Sequence, residues 1–507
     1  MKSDQTELVP QMNQKVRRAA VVEMRMSAFS FSVSRSLSVL TCMGLVWLTG
    51  VGLAMEPVQL GSRRELFVDE HLIESKSGVV LKMHMPQAQE VALVCDAPWE
   101  GNTSGYFTLL QDGDLFRCYY RGSHHGEPGG RPSHSGVPCY AESRDGITWT
   151  KPKLGLHEFE GSKDNNITHM GDGCGTFAPF LDTNPNCPPA SRFKALATMG
   201  NDVERKKNPA LQAYHSADGL RWSLMREKPV ITAGSFDSQN TAFYDAELGM
   251  YRAYWRYFTG GYTDQRGWKP SGVRAIRTAI SKDFINWENP ADLAYGKEAP
   301  TVQLYTNAVR PYARALHLLL GFPTRYQPKG SQVEPVLMTS RDGVNFKRWV
   351  EPLIPITAPK DRDWNRSNYM TIGVLSLPGR PNELSVYATE AYYQGPGSRI
   401  RRFTFRVDGF VSASAEDGEI ITKPLIFEGT KLALNLISEG ETRVEVQDEA
   451  GKAIPGFALD DCASIKGELI DHIVSWKGGS LAALAGKTVR LRFELRRADL
   501  FALQFVP

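Results

Sequence analysis

The chain has 507 residues, 42% apolar and 23% charged, with 59 Lys and Arg against 56 Asp and Glu. That length allows two or three domains, and the composition is that of an ordinary globular protein. The near balance of charge excludes a basic field for nucleic acid, and there is no acidic tail.

Residues 36–54 are apolar, follow Arg25 and Arg35, and end in Gly52-Leu53-Ala54. Residues 1–54 therefore read as a secretory signal peptide. A start at Met24 or Met26 would give it ordinary length, and a single membrane anchor is the other reading of the same stretch. The leader holds six Lys/Arg and three Asp/Glu, so the remainder is charge-balanced. The mature chain is expected to be periplasmic or extracellular, with no stable membrane insertion. Six of seven cysteines remain after Cys42 leaves, and Cys174 and Cys187 are the closest in sequence. Export permits disulfides. No Cys/His spacing suggests zinc, and no cofactor or metal is expected.

In chain order, residues 55–90 offer strands at 64–69 and 79–85. From about residue 91 one grammar repeats: a strand, an Asp or Gly turn, a strand rich in Tyr, Trp and Arg, and a further turn. The first strands are predicted at 105–110, 175–181, 241–244, 308–312 and 369–377. Their partners are predicted at 116–121, 193–196, 251–256, 317–322 and 384–389. Strand and turn alternate without a helical period, which indicates an all-β fold. Residues 413–507 change character. Val489, Leu491, Phe493 and Leu495 alternate with Arg490, Arg492 and Glu494, a sheet with one wet face, and a unit of this size fits a β-sandwich.

Four short phrases punctuate the repeats: S-R-D-G-I-T-W from Ser143, S-A-D-G-L-R-W from Ser216, S-K-D-F-I-N-W from Ser281 and S-R-D-G-V-N-F from Ser340. The serines are 73, 65 and 59 residues apart. Asp bonds nearby backbone N–H groups, Gly tolerates positive φ, and the aromatic plugs the turn into an apolar layer. Asp145, Asp218, Asp283 and Asp342 thus read as turn formers. Internal repeats at this spacing indicate a β-propeller, and four marked blades with one unmarked give five.

These phrases resemble the Asp-box of sialidases and the S-x-D-x-x-x-W turns of glycoside hydrolase families 32 and 43. A five-bladed propeller (55–412) followed by a β-sandwich (413–507) is similar to family 32 and to an exported planctomycete-type group of such propellers. The resemblance implies a glycosidase acting on a poly- or oligosaccharide, with its site in the central funnel. Glycoside hydrolysis needs two carboxyl groups, one protonated and one ionised. The chain lacks the family 32 W-x-N-D-P-N-G and E-C motifs and the Asp-Pro blade starts of family 43.

The candidates come from the starts of the inner strands. Asp237, directly before the first strand of blade three, is the expected base or nucleophile, and Glu390 the acid. Asp96 or Glu100 would support them. Trp99, Asn102, Arg121, Asn240, Arg256, Tyr305, Asn307, Trp364, Arg366 and Asn368 are expected around the sugar. Taken one at a time, the aromatics read as core rather than as sugar platforms, and Asp96 can be read as an Asx-turn and Asp237 as a strand cap. His124, His125 and His134 lie in a Gly/Pro/Ser-rich loop that could reach over the funnel. Two other functions stay open: a carbohydrate-binding propeller without catalysis, and a sialidase-like exo-enzyme for acidic or sulfated sugars, which Arg residues in the funnel would favour.

Overall fold

Short strands rich in aromatic and β-branched residues, punctuated by Asp-Gly turns, pair antiparallel with their neighbours in sequence. Here they do so around a ring. The computed structural model describes residues 56–507, apart from 127–131, 172, 200–209, 262–269, 298, 330–331 and 355–367. The signal-peptide segment, Trp364 and Arg366 lie outside the described residues.

Five blades make a β-propeller. Blade one is Gly105–Asp112, Leu115–His124 and His134–Ser143. Blade two is Phe177–Leu181, Phe193–Thr198, Leu211–Ser216 and Ser223–Leu224. Blade three is Thr241–Asp245, Met250–Phe258, Arg274–Ser281 and Trp287–Asp292. Blade four centres on Arg310–Tyr312, Ala315–Gly321, Gln332–Ser340 and Lys347–Pro352. Blade five has Glu383–Glu390 and Arg399–Arg406, and its predicted inner strand is reduced to bridges at Met370 and Leu375. Its outer strand, Gln87–Val94, comes from before blade one. The ring is thus closed by pairing an early strand with a late one. At the centre, Leu109 N–H donates to Ile372 O at 2.7 Å and Ile372 N–H to Phe107 O at 3.0 Å, joining blades one and five.

The four repeated phrases are turns of one design. In the first, Asp145 Oδ1 accepts from the N–H groups of Ile147 and Thr148 at 2.8 and 2.7 Å, Ser143 Oγ accepts from Gly146 N–H at 2.8 Å, and Trp149 Nε1 donates to Gly146 O at 3.1 Å. Each turn docks on the preceding blade. Tyr387 of blade five donates to Gly146 O, Arg117 of blade one to Asp218 O, and Tyr254 of blade three to Gly343 O. Phe284, in the third turn, packs on Phe180 of blade two at 5.5 Å. Gly146 has φ +71°, and a Cβ there would lie 2.3 Å from Leu377, so both backbone and space require glycine.

Blade five has no such phrase. In its place Val407-Asp408-Gly409-Phe410 leaves the blade and docks on blade four. Asp408, fully buried, accepts from Tyr312 at 2.6 Å, Arg314 at 3.1 Å, Arg64 at 3.0 Å and Asn435 at 2.9 Å, while Phe410 meets Tyr312 edge-on at 5.3 Å. The fifth inter-blade joint is therefore an ion-pair network shared with the C-terminal region.

The C-terminal strands form a β-sandwich around Leu432, Leu434, Leu436, Val444, Phe493, Leu495, Leu500 and Phe505. The segments 432–436 and 442–446, predicted as separate strands, are one bulged strand, Lys431–Gln447, paired along Thr488–Val506. The alternation at 489–495 puts all four apolar residues in the core. The leading segment does not belong to the ring by pairing: Val58–Gly61, Glu65–Leu66, Ile73–Ser77 and Val80–Met83 all add to the C-terminal sheet. The six cysteines described are free thiols. Cys187 donates to Ser191 O at 3.2 Å rather than bonding Cys174. No helix among the described residues is long and apolar enough to cross a membrane.

Candidate active site

The segments just before the inner strands converge at one mouth of the ring. Several residues there hold positive φ without being glycine: Tyr106 at 58°, Ala308 at 44°, Asn368 at 64°, Ala391 at 55° and Tyr393 at 60°. Bulky residues rarely adopt this region, and such outliers collect where the surroundings enforce a functional geometry.

Below this rim the blade starts are braced to one another by buried amides. Asn307 Nδ2 donates to Gln239 O at 3.0 Å, and its Oδ1 accepts from Thr241 at 2.8 Å. Asn240 Nδ2 reaches Thr176 Oγ1 of blade two at 3.0 Å and Ser238 O at 2.8 Å. Gln239 Nε2 reaches Phe107 O of blade one at 2.8 Å. Asn240 and Asn307, expected around the sugar, are at most 1% exposed. Their polar groups hold neighbouring blades in register beneath the mouth. Buried amides in fixed geometry are well suited to that work, because each lost partner would leave an unsatisfied group.

On this floor stands a belt of tyrosines. Tyr305 meets Tyr369 at 5.6 Å, Tyr369 meets Tyr392 at 5.5 Å, Tyr392 meets Tyr393 at 4.8 Å and Tyr305 meets Tyr326 at 6.0 Å. The first three contacts are edge-to-face, the arrangement aromatic quadrupoles prefer. Tyr106 joins from blade one, its hydroxyl donating to Asp237 O at 3.1 Å. Burial raises the Tyr392 hydroxyl to about 12 against the opposing pull of Arg121. It stays a protonated donor at neutral pH.

Three arginines lie over these rings: Arg121 over Tyr106 at 4.7 Å, Arg256 over Tyr305 at 4.6 Å and Arg274 over Tyr326 at 4.5 Å. Arg121 and Arg256 end the matching phrases Tyr119-Tyr120-Arg121 and Tyr254-Trp255-Arg256 on the second strands of blades one and three. Among the described residues, Asp237 is the carboxylate in contact with this assembly. Arg256 Nη2 donates to its Oδ1 and to Ser235 Oγ at 2.9 Å. The Asp237 side chain keeps 23% exposure while Arg256 keeps 2%, so the carboxylate faces the opening and the cation lies behind it.

The other predicted residues fall elsewhere. Glu100 is fully buried in the wall of blade one, accepting from Tyr120 at 2.5 Å, Lys151 at 2.6 Å and Ala97 N–H at 3.0 Å. Asp96 is a surface group, 74% exposed, on the same lysine. Trp99 donates to Asn166 at 2.6 Å and packs on Phe159. Asn102, 2% exposed, clamps the rim: it exchanges hydrogen bonds with the His125 backbone at 3.0 and 3.1 Å and its O accepts from Tyr393 N–H at 2.6 Å. Asn368 is buried, its N–H donating to Thr389 O. Glu390, 3% exposed, ends the middle strand of blade five and is held by Arg399 at 2.9 Å and Arg401 at 2.6 Å.

Tyr106, Tyr326, Tyr369 and Arg274 complete the mouth and were not among the predicted site residues. Tyr106 and Tyr369 sit at the start of blades one and five, the position that singled out Tyr305, and that rule would have found them. Arg274 begins the third strand of blade three, paired with Phe258, and Tyr326 lies on the short strand Thr324–Gln327 between Gln303–Leu304 and Gln332–Ser340, so neither stands at a blade start.

No known family matches the sequence, and no curated protein matches it. Solved structures resemble parts of the chain at low identity. One described as a glycoside hydrolase is 14% identical, with 63% of this chain and 92% of that chain covered at a TM-score of 0.45. An N-acetylgalactosamine deacetylase from F. plautii, in complex with blood group B trisaccharide, is 12% identical over 65% and 96% of the two chains, TM-score 0.44. A GH43 β-1,3-galactosidase is 9% identical over 78% and 74%, TM-score 0.41.

Proposed function

We propose that this chain is an exported enzyme that cleaves glycosidic bonds in a poly- or oligosaccharide. The observation that carries this reading is the mouth of the propeller, where an open carboxylate, Asp237, is backed by Arg256 and ringed by tyrosines. Sugars offer apolar C–H faces and hydroxyl edges. Tyrosines offer flat apolar faces and hydroxyl donors, so the belt is chemically complementary to a pyranose or furanose. An arginine behind a carboxylate favours its charged form. Asp237 is therefore assigned the base or nucleophile role.

The acid must hold a proton beside the bond that breaks. Glu390 keeps that assignment, and its clasp by Arg399 and Arg401 has to open for the role to be filled. A single carboxylate touching the belt among the described residues favours a second reading, a propeller that binds carbohydrate without cutting it. The two separate in one experiment. Reducing-sugar release is measured from neutral, uronic and sulfated glycans with the wild type, Asp237→Asn and Glu390→Gln. Release lost in both variants, with unfolding unchanged, supports the hydrolase. Binding without release supports the second reading. Export is checked by finding whether the secreted protein begins near residue 55.

A further inference from the structure

Among the described residues the charges at the mouth do not balance. Arg256 is matched by Asp237, but Arg121 and Arg274 are not matched by any carboxylate among the described residues. Arg121 Nη2 donates to Thr103 O and to the Tyr392 hydroxyl, both at 2.8 Å, and Arg274 Nη1 donates to Gln303 Oε1 at 3.2 Å. These acceptors are neutral. The Nε of each is buried with no acceptor among the described residues. Arg274 is held below the ordinary arginine range by burial and by the neighbouring Arg256 charge.

A partly buried cation without a counter-charge is costly unless something completes it. Stacking does not complete it. A guanidinium lying on a ring uses its face and leaves its N–H edges pointing sideways. Arg121 on Tyr106 and Arg274 on Tyr326 flank the belt formed by Tyr305, Tyr369 and Tyr392, so their edges border the surface on which a sugar would lie.

We infer that the mouth takes a negatively charged sugar, with Arg121 and Arg274 receiving its anionic group. The inference rests on the glycan reading above and narrows it to acidic glycans. A uronate carboxylate and a sulfate ester share the needed chemistry, since both accept two parallel N–H bonds from a guanidinium. Arg121 and Arg274 are the residues that set the preference, and Asp237 stays where the chemistry occurs.

The test is binding, read independently of cleavage. The full chain is titrated calorimetrically with oligosaccharides of galacturonate, of glucuronate and of sulfated galactose, each beside its neutral methyl-ester or desulfated counterpart, at low and high salt. The expected result is at least one acidic probe bound tenfold or more tighter than its neutral counterpart, with the difference shrinking as salt rises. Arg274→Gln and Arg121→Gln should each remove roughly tenfold of that preference, the scale of one charged hydrogen bond. Arg274→Lys should retain part of it. Arg221→Gln, on an exposed turn outside the mouth, should retain all of it. Whether carboxylate or sulfate wins identifies the anion. Equal binding of acidic and neutral probes, unmoved by either glutamine variant, overturns the charge inference and leaves the glycan reading standing. No binding to any probe overturns both.

Discussion

The outer turns of the propeller and its inner mouth use the same residue types in opposite ways. In the turns, Asp145, Asp218, Asp283 and Asp342 each accept two backbone N–H bonds at 2.7–2.9 Å from residues two and three positions on. Burial opposes ionisation at Asp218, but the N–H groups of Arg221 and Leu220 prevail and hold it at about 2. Every bond is local, so every copy looks alike. At the mouth, Asp237 answers to an arginine from another strand and to the opening. The tyrosines differ from blade to blade, and Arg121 and Arg274 meet only neutral acceptors among the described residues. Repetition in this chain marks what joins the blades, and departure from repetition marks the mouth to which we assign the chemistry.

The fifth joint tests the first half of that contrast most severely. Asp408 does with long-range charges what the other four do with local N–H groups. Asp408→Ala leaves the nearly buried Arg64 only the half-exposed Asp471 as counter-charge and takes the shared acceptor from Tyr312, Arg314 and Asn435; it should cost about 3 kcal/mol or more in chemical denaturation, the lower end for breaking a buried pair. A loss no larger than that of a turn aspartate would show the network to be dispensable.

Glu65 sharpens the same point through pH. Burial alone would raise it, but His317 and Arg341 hold it at about 2, below its ordinary 4.5. A depressed carboxylate stabilises the fold above its unfolded value, and that stability is lost as pH falls from about 4.5 to 2. The shift corresponds to about 3 kcal/mol. Unfolding free energies measured between pH 6 and 2 should fall less steeply in Glu65→Gln than in the wild type; parallel curves would remove Glu65 from the account.

A turn aspartate comes next in size. Asp218→Ala loses two backbone hydrogen bonds at a surface site and should cost about 1–2 kcal/mol, with catalysis untouched. The smallest effect is expected at Arg310, on the inner strand of blade four. Its Nη1 donates to Ala242 O at 2.7 Å and its Nη2 is buried without an acceptor among the described residues. Arg310→Met should be neutral or stabilising by up to about 1 kcal/mol, read as an unchanged or raised denaturation midpoint.

The ring was legible because its signals are local. S-x-D turns and alternating strands state their structure within seven residues, and four such turns at blade spacing mark four of the five blades. The C-terminal β-sandwich was legible from the alternation at 489–495. Its recruitment of residues 58–83 was not, because pairing between Glu65 and Leu503 spans the whole chain. The site was legible in part. Asp237, Arg121, Arg256 and Tyr305 stand at blade starts or strand ends, where chain order alone points inward. Glu100 and the asparagines shared those positions but turned into the wall and floor, since side-chain direction there depends on partners such as Lys151 and Thr241 from distant segments. Arg274 and Tyr326 carried no local mark.

The measurement closest to the central claim pairs one aspartate from each region. Asp237→Asn and Asp218→Ala are compared for reducing-sugar release on the best glycan and for unfolding free energy. Asp237→Asn should lose a hundredfold or more of activity while still folding cooperatively, with some loss of stability because the 2% exposed Arg256 keeps a hydrogen-bond acceptor but loses its counter-charge. Asp218→Ala should keep full activity while losing about 1–2 kcal/mol of stability. Full activity in Asp237→Asn, or a comparable loss of activity in both, would contradict the division between structural outer turns and a chemical mouth.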